Sequence, residues 1–146
     1  LSLRRQRQMC IRDRGQTALA SDEIVTHLII PPPAPHTGKV YIKHGRRIAM
    51  ELATVGVAVS LTMDGKTCRD IRIVLAAVAA APLRANDAEI LLRGQRLNAA
   101  LIDAAAEAAM HQSRPISNIR GSADYRRQMV KVLTRRAIEQ AIKEAA

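Results

Sequence analysis

From Ala53 to Met63 the chain alternates without a break. Val55, Val57, Val59, Leu61 and Met63 take one side, and Thr54, Gly56, Ala58, Ser60 and Thr62 take the other. A period of two is the period of a strand, and small residues on the second side mean that it is closely covered or solvated. Asp64-Gly65 supplies a tight turn. Ile71, Ile73 and Leu75 then resume the alternation, with Asp70 and Arg72 opposite. The pattern predicts an antiparallel hairpin that ends at Ala79-Ala80-Ala81-Pro82, with a short strand at Val40 to Lys43 ahead of it. Further upstream, Ser21-Asp22-Glu23 reads as a turn, and Ile24, Val25, Leu28, Ile29 and Ile30 as a strand. Pro31-Pro32-Pro33-Ala34-Pro35 then forces an extended connector without ladder hydrogen bonds.

Beyond Pro82 the period changes to that of a helix. Asn86-Asp87-Ala88-Glu89 offers a cap with an acid in the first turn, and Gly94 fits the stop position. Asn98 caps a second helix with Leu101, Ile102, Ala105 and Ala109 inward and Asp103 and Glu107 outward. Ser113 to Gly121 is a loop fixed by Pro115. Ser122 caps the longest helix. Its stripe is Tyr125, Met129, Val132, Leu133, Ala137 and Ala141. Its wet face is Arg126, Arg127, Lys131, Arg135 and Glu139, with Glu139 and Lys143 as an i,i+4 pair. Strands followed by helices give an α+β fold, a small antiparallel sheet of about three to four strands followed by three helices packed on one face.

Composition narrows the picture. At 146 residues the chain makes one domain. It contains no Phe and no Trp, so the core is aliphatic and rich in alanine. Cys10 and Cys68 have no paired spacing, which argues against a disulfide framework or a zinc site. His27, His36, His44 and His111 are scattered and read as surface or loop residues. No apolar run approaches the roughly 20 residues that span a membrane. The basic start has no apolar h-region, so no signal peptide is read and the default setting is cytoplasmic. The net charge of +10 invites a nucleic-acid reading. Five arginines fall before residue 15, however, and no basic run is interleaved with aromatic platforms. Nucleic acid is therefore not the expected partner. Residues 1–14 are set aside as a foreign or disordered basic tail.

Candidate chemistry is sparse. There is no nucleophile elbow and no Walker loop. Gly45, Gly56 and Gly65 do not form a phosphate cradle between a strand and a helix. Glu51, Asp64 and Asp70 are isolated along the chain, so no acid/base pair is visible. Arg46-Arg47 is either an anion contact or a solvated face. On its residues alone this domain performs no catalysis.

Several blocks nevertheless carry a resemblance. They are Tyr41-Ile42-Lys43-His44-Gly45-Arg46-Arg47, the strand Ala53 to Met63, Cys68-Arg69-Asp70-Ile71-Arg72-Ile73, Ala81-Pro82-Leu83-Arg84-Ala85, Leu91-Leu92-Arg93-Gly94 and Arg114-Pro115-Ile116-Ser117-Asn118-Ile119-Arg120-Gly121-Ser122-Ala123-Asp124-Tyr125-Arg126-Arg127. In their order and spacing they resemble the C-terminal domain of the FAD-binding medium subunit of molybdenum hydroxylases, the family of carbon monoxide dehydrogenase and xanthine dehydrogenase. The resemblance covers residues 16–146. It makes residues 15–38 the end of a preceding FAD subdomain plus a Pro-rich linker, and residues 39–146 the C-terminal domain.

The resemblance implies an oxidoreductase fragment, not catalytic alone. In such enzymes a molybdopterin-binding large subunit oxidises the substrate, and an iron–sulfur (2Fe–2S) small subunit relays electrons to FAD and on to an acceptor. It also implies that this domain closes the flavin site. Leu52 would then pack near the ring, and Lys43 or Arg69 would place charge near its polar edge. The loop from Ala76 to Pro82 would lie near the flavin mouth. FAD binding by this stretch alone is not expected, because the Gly-rich flavin loops of the family are missing from it. Glu51 stands where many relatives carry Asp, and Ala76 where Gly is common before Ala77-Val78, which stiffens the loop. The alternative is a small basic nucleic-acid-binding or protein-interaction module without catalysis. A third reading is a docking domain whose Ala-rich helices contact partner subunits.

Overall fold

The computed structural model describes residues 19–47 and 50–146. The expected basic tail at 1–14 lies outside the described residues. Four strands run in the order β1-β2-β3-β4, all antiparallel: β1 Thr37–His44, β2 Val55–Asp64, β3 Thr67–Ala76 and β4 Leu83–Arg84. Three helices follow: α1 Asn86–Leu92, α2 Ala99–Gln112 and α3 Ala123–Ala145. The α+β expectation holds, and so does the hairpin at Asp64-Gly65, where Gly65 adopts the left-handed φ of 56° that the turn requires.

The alternation sorts the two faces as predicted. Val57, Val59 and Leu61 of β2 and Ile71, Ile73 and Leu75 of β3 are buried against Val130, Leu133, Ala137, Ile138 and Ala141 of α3. Each fully buried Leu, Ile or Val contributes roughly 1.5–3 kcal/mol. Helix α3 lies across β1 and β2, α2 lies on α3, and α1 bridges α2 and β3. Small residues set the spacing. Ala105, Ala106 and Ala109 of α2 and Ala137, Ala141 and Ala145 of α3 are all buried. At Gly38, a Cβ would stand 1.9 Å from the carbonyl oxygen of Ala141. Glu89 pins α1 to the sheet. Its buried carboxylate accepts the Ile73 N–H at 2.9 Å and the Arg84 Nε and Nη2 at 2.8 Å each.

Several expectations need correction. Residues 24–30 form no strand. They run into the proline connector outside any strand, with Ile24, Leu28, Ile29 and Ile30 exposed. A run of β-branched residues makes a strand only where a sheet edge receives it, and none of the described strands pairs with this run. Asn86 is not a cap. Helix α1 starts from Ala85, and the Asp87 N–H is satisfied by Gln112 Oε1 at 3.2 Å. Asn98 and Ser122 do cap, accepting from the N–H of Leu101 and Tyr125. Of the expected stripe of α3, Leu133, Ala137 and Ala141 are buried, but the buried face extends to residues outside that stripe. Val130, Thr134 and Ile138 are buried, whereas Tyr125 and Val132 are exposed. Arg126, expected in water, is 3% exposed. Glu139 pairs with Arg135 at 3.0 Å rather than with Lys143.

Candidate functional site

The antiparallel order sends the end of β1, the start of β2 and the end of β3 to one edge of the sheet. The N-terminus of α3 arrives at the same place. His44 Nε2 and Tyr125 Oη are 2.9 Å apart, which ties the last residue of β1 to the first turn of α3. The two rings stand 6.1 Å apart between centroids, tilted by 52°. The His44 carbonyl accepts the Thr54 N–H at 2.8 Å, so the connection between β1 and β2 closes on itself. Thr54 is buried beneath Gly121 and Tyr125.

Lys43 sits one residue before this tie. Its backbone faces Gly56, and Gly56 faces Ala76, so Lys43, Gly56 and Ala76 form one row across three strands. The Tyr41 ring lies over that row. A Cβ at Gly56 would meet Tyr41 Oη at 2.9 Å and Ala76 Cβ at 3.2 Å, so glycine is what the close approach requires. Lys43 itself is exposed and has no carboxylate partner among the described residues.

Leu52 lies in the β1–β2 connection with Met50 nearby; the two are 64% and 97% exposed. Glu51 between them faces inward. Its carboxylate accepts the Arg47 N–H and, at 3.4 Å, the Arg46 Nε. Desolvation acts to raise its pKa, but the Arg47 N–H and the Arg46 charge outweigh it, and the carboxyl sits below its ordinary value. Arg46 and Arg47, read from sequence as an anion contact or a solvated face, therefore already hold the anion Glu51. Around this internal pair Met50 and Leu52 project as exposed apolar side chains of the connection that follows β1.

The loop after β3 completes the site. Ala77 has a φ of 65°, so the strain sits one residue after Ala76. Its carbonyl accepts Arg126 Nη1 at 3.3 Å, and Arg126 Nη2 donates to Asn118 Oδ1. Val78 is fully buried, and its carbonyl accepts the Arg114 N–H at 2.8 Å. Arg126 has no carboxylate partner among the described residues, and its Nε is buried without an acceptor. A charge this buried is held by two neutral oxygens, so it fixes the loop at the cost of desolvation.

Arg69 lies elsewhere. The register shifts between Thr62 and Met63, whose partners are Asp70 and Cys68, so Arg69 is the extra residue of a bulge at the hairpin end. The structure thus places Lys43 and Leu52 at the same end of the sheet and Arg69 at the opposite end. Cys68 beside it is fully buried. Burial, with the Asp70 charge adding, pushes its thiol up to about 11. No cluster of His, Cys, Asp or Glu among the described residues could hold a metal ion. No helix among them is long and apolar enough to cross a membrane.

His44, Tyr125 and Arg126 were not singled out from sequence. Tyr125 and Arg126 occupy the first turn after the Ser122 cap, a position that projects toward whatever precedes the helix, and that placement is the one available signal.

Residues 40–141 match the family profile described as the CO dehydrogenase flavoprotein C-terminal domain. The medium chain of carbon monoxide dehydrogenase from Afipia carboxidovorans is 39% identical over 86% of this chain and 43% of its own length. A putative xanthine dehydrogenase FAD-binding subunit of Escherichia coli is 28% identical over 90% of this chain and 45% of its own. A solved carbon monoxide dehydrogenase from Hydrogenophaga pseudoflava superposes with a TM-score of 0.77 at 37% identity, covering 80% of this chain and 40% of that one. The chain therefore spans half or less of the length of the curated relatives it matches.

Proposed function

The chain belongs to the CO dehydrogenase flavoprotein C-terminal domain family, and we propose that it is the C-terminal part of an FAD-containing electron-transfer subunit of a molybdenum hydroxylase. Its work there is to help close the flavin site. Its partners are a molybdopterin-binding large subunit and an iron–sulfur small subunit, from whose 2Fe–2S clusters electrons reach FAD and then an acceptor. The observation that carries this reading is the match over residues 40–141, which coincides with the sheet and helices from β1 to α3.

The residues present fit one wall of such a site and not the whole of it. Exposed Leu52 and Met50, the Lys43 ammonium and the Lys43–Gly56–Ala76 row suit the side of a planar, polar-edged ring. Nothing among the described residues suits a diphosphate. Gly45 packs against Glu51, Gly56 lies under Tyr41 and Gly65 is the hairpin tip. FAD, when bound, takes up electrons and passes them on. Leu52 excludes water from that side, and Lys43 keeps a positive charge beside it. Arg126 acts behind them by holding the Ala77 carbonyl. Arg69, at the far end of the sheet, is not part of this wall.

A domain replacement tests the reading. Residues 40–141 are put in place of the matching stretch of the full-length Afipia medium chain, and the flavin absorbance of that chimera is measured after gel filtration. Retained stoichiometric flavin is the expected result. A folded chimera that loses flavin refutes the reading. The chain alone is expected to elute colourless.

A further inference from the structure

The helices cover only one face of the sheet, and the other is open. On it, Lys39, Ser60 and Arg72 form one cross-strand row, and Tyr41, Ala58 and Val74 form the next. These six side chains line a trough of about 300 Å³ that runs along β2. Its floor is small, made of Ala58 and Ser60. Its walls come from β1 and β3, which stand about 9.6 Å apart at two strand spacings. An α-helix with side chains is about 10–12 Å wide. A whole helix is wider than the trough, so only a stripe of small side chains on one helix face can enter it and reach the small floor, whereas large floor residues would keep that stripe out.

The charge on this face is one-sided. Lys39 and Lys43 have no carboxylate within ion-pair distance among the described residues. The nearby Glu144 takes the Lys39 backbone N–H at 3.3 Å, not its ammonium. Arg72 has only Asp70, at 3.7 Å, and Arg93 holds that same carboxylate at 3.2 Å. A second copy of this chain does not fit, because two such faces repel and each chain carries +10. A single-stranded nucleic acid fits poorly, because Tyr41 is the one aromatic on the face and stacking platforms are what such strands need.

We propose that this open face docks an acidic amphipathic helix of a partner protein. The helix runs along β2 with its small apolar stripe on Ala58 and Ser60, and its carboxylates reach Lys39 on one side and Arg72 on the other. The assignment does not rest on the flavin reading, since none of these contacts needs a flavin and the test contains none.

The test is a titration of the isotope-labelled chain, followed by amide NMR. The probe is an alanine-striped peptide flanked by glutamates, of about 20 residues so that it exceeds the marginal length of a free helix. Amide shifts are expected to concentrate on Lys39 to Lys43, Gly56 to Ser60 and Arg72 to Val74. Lys39→Glu is expected to weaken binding about fivefold, one reversed surface charge's worth. Ala58→Gln, which fills the floor without adding charge, is expected to weaken it as well. Arg136→Glu, on the solvent side of α3, is expected to leave it unchanged. The assignment is overturned if the open face shows no shifts at millimolar peptide, or if the lysine variant binds as tightly as the parent. It is also overturned if oligouridylate binds the same face more tightly than the peptide.

Discussion

Gly38 is the position where the fold has least room, and a single methyl there measures how tightly α3 is held. In Gly38→Ala the new Cβ would stand 1.9 Å from the Ala141 carbonyl oxygen, 2.8 Å from its carbonyl carbon and 3.1 Å from its Cα. Ordinary carbon–oxygen contacts in packed structures lie at about 3.3 Å or beyond. Helix α3 and strand β1 must therefore separate by somewhat over an ångström, or part locally. The obstacle is helix backbone, so no rotamer change relieves it. Overpacking a core usually costs about 1–3 kcal/mol, and with a rigid neighbour on each side the upper end, about 3 kcal/mol, is expected. For a chain of this size that lowers Tm by roughly 10 °C. Gly65→Ala is the control. Nothing lies within 4 Å of its Cβ, but its φ is 56°, so only the left-handed backbone term of about 1–2 kcal/mol applies. Urea denaturation of both variants, with hydrogen exchange of the last two turns of α3, makes the comparison. If Gly38→Ala costs no more than Gly65→Ala, the close approach of α3 to β1 does not hold the helix, and the spacing argument fails.

The remaining expectations concern smaller groups. Cys68, buried with its thiol raised to about 11, should label with a disulfide reagent at pH 8 only as fast as the domain opens, measured in a Cys10→Ser background; rapid native labelling would contradict its burial. Ala77→Gly should raise stability by about 0.5 kcal/mol, because relief of a left-handed alanine exceeds the entropy that glycine adds, and a lowered urea midpoint would count against strain at that residue. Lys131 donates a hydrogen bond to Glu107, adds its charge and holds that carboxyl below its ordinary 4.5. The sign follows: the pair stabilises the fold above that value, and its contribution is lost as pH falls through the folded pKa. Glu107→Gln should flatten the acid limb of the stability profile, less so in high salt, and an unchanged limb would remove the pair from the account.

How much of this was legible in the chain depended on the range of the interaction. The β2–β3 hairpin was legible because a period of two and an Asp-Gly turn are local, and both helix caps at Asn98 and Ser122 act within three residues. Strand β4, two residues long, carries no period at all. The run Ile24 to Ile30 has the composition of a strand, but pairing depends on a partner edge that composition does not report. Lys43 and Leu52 came from resemblance, and their place at one end of the sheet was not readable from their types.

Arg126 shows the same limit from the other side. By type it belongs in water, and the expected stripe of α3 was phased accordingly. Its burial is decided by a carbonyl at Ala77 and an amide at Asn118, 49 and 8 positions away. On this helix Val130, Thr134 and Ile138 face the core together with Leu133, Ala137 and Ala141, and Tyr125 is left outside to meet His44. The longest helix and the candidate site thus meet at its first turn. The guanidinium that spoiled the helical pattern is also the group that holds the strained Ala77 loop beside the row carrying Lys43. A pattern broken by one residue type is thus a reasonable place to look for a site, because a buried unpaired charge persists only where its surroundings hold it.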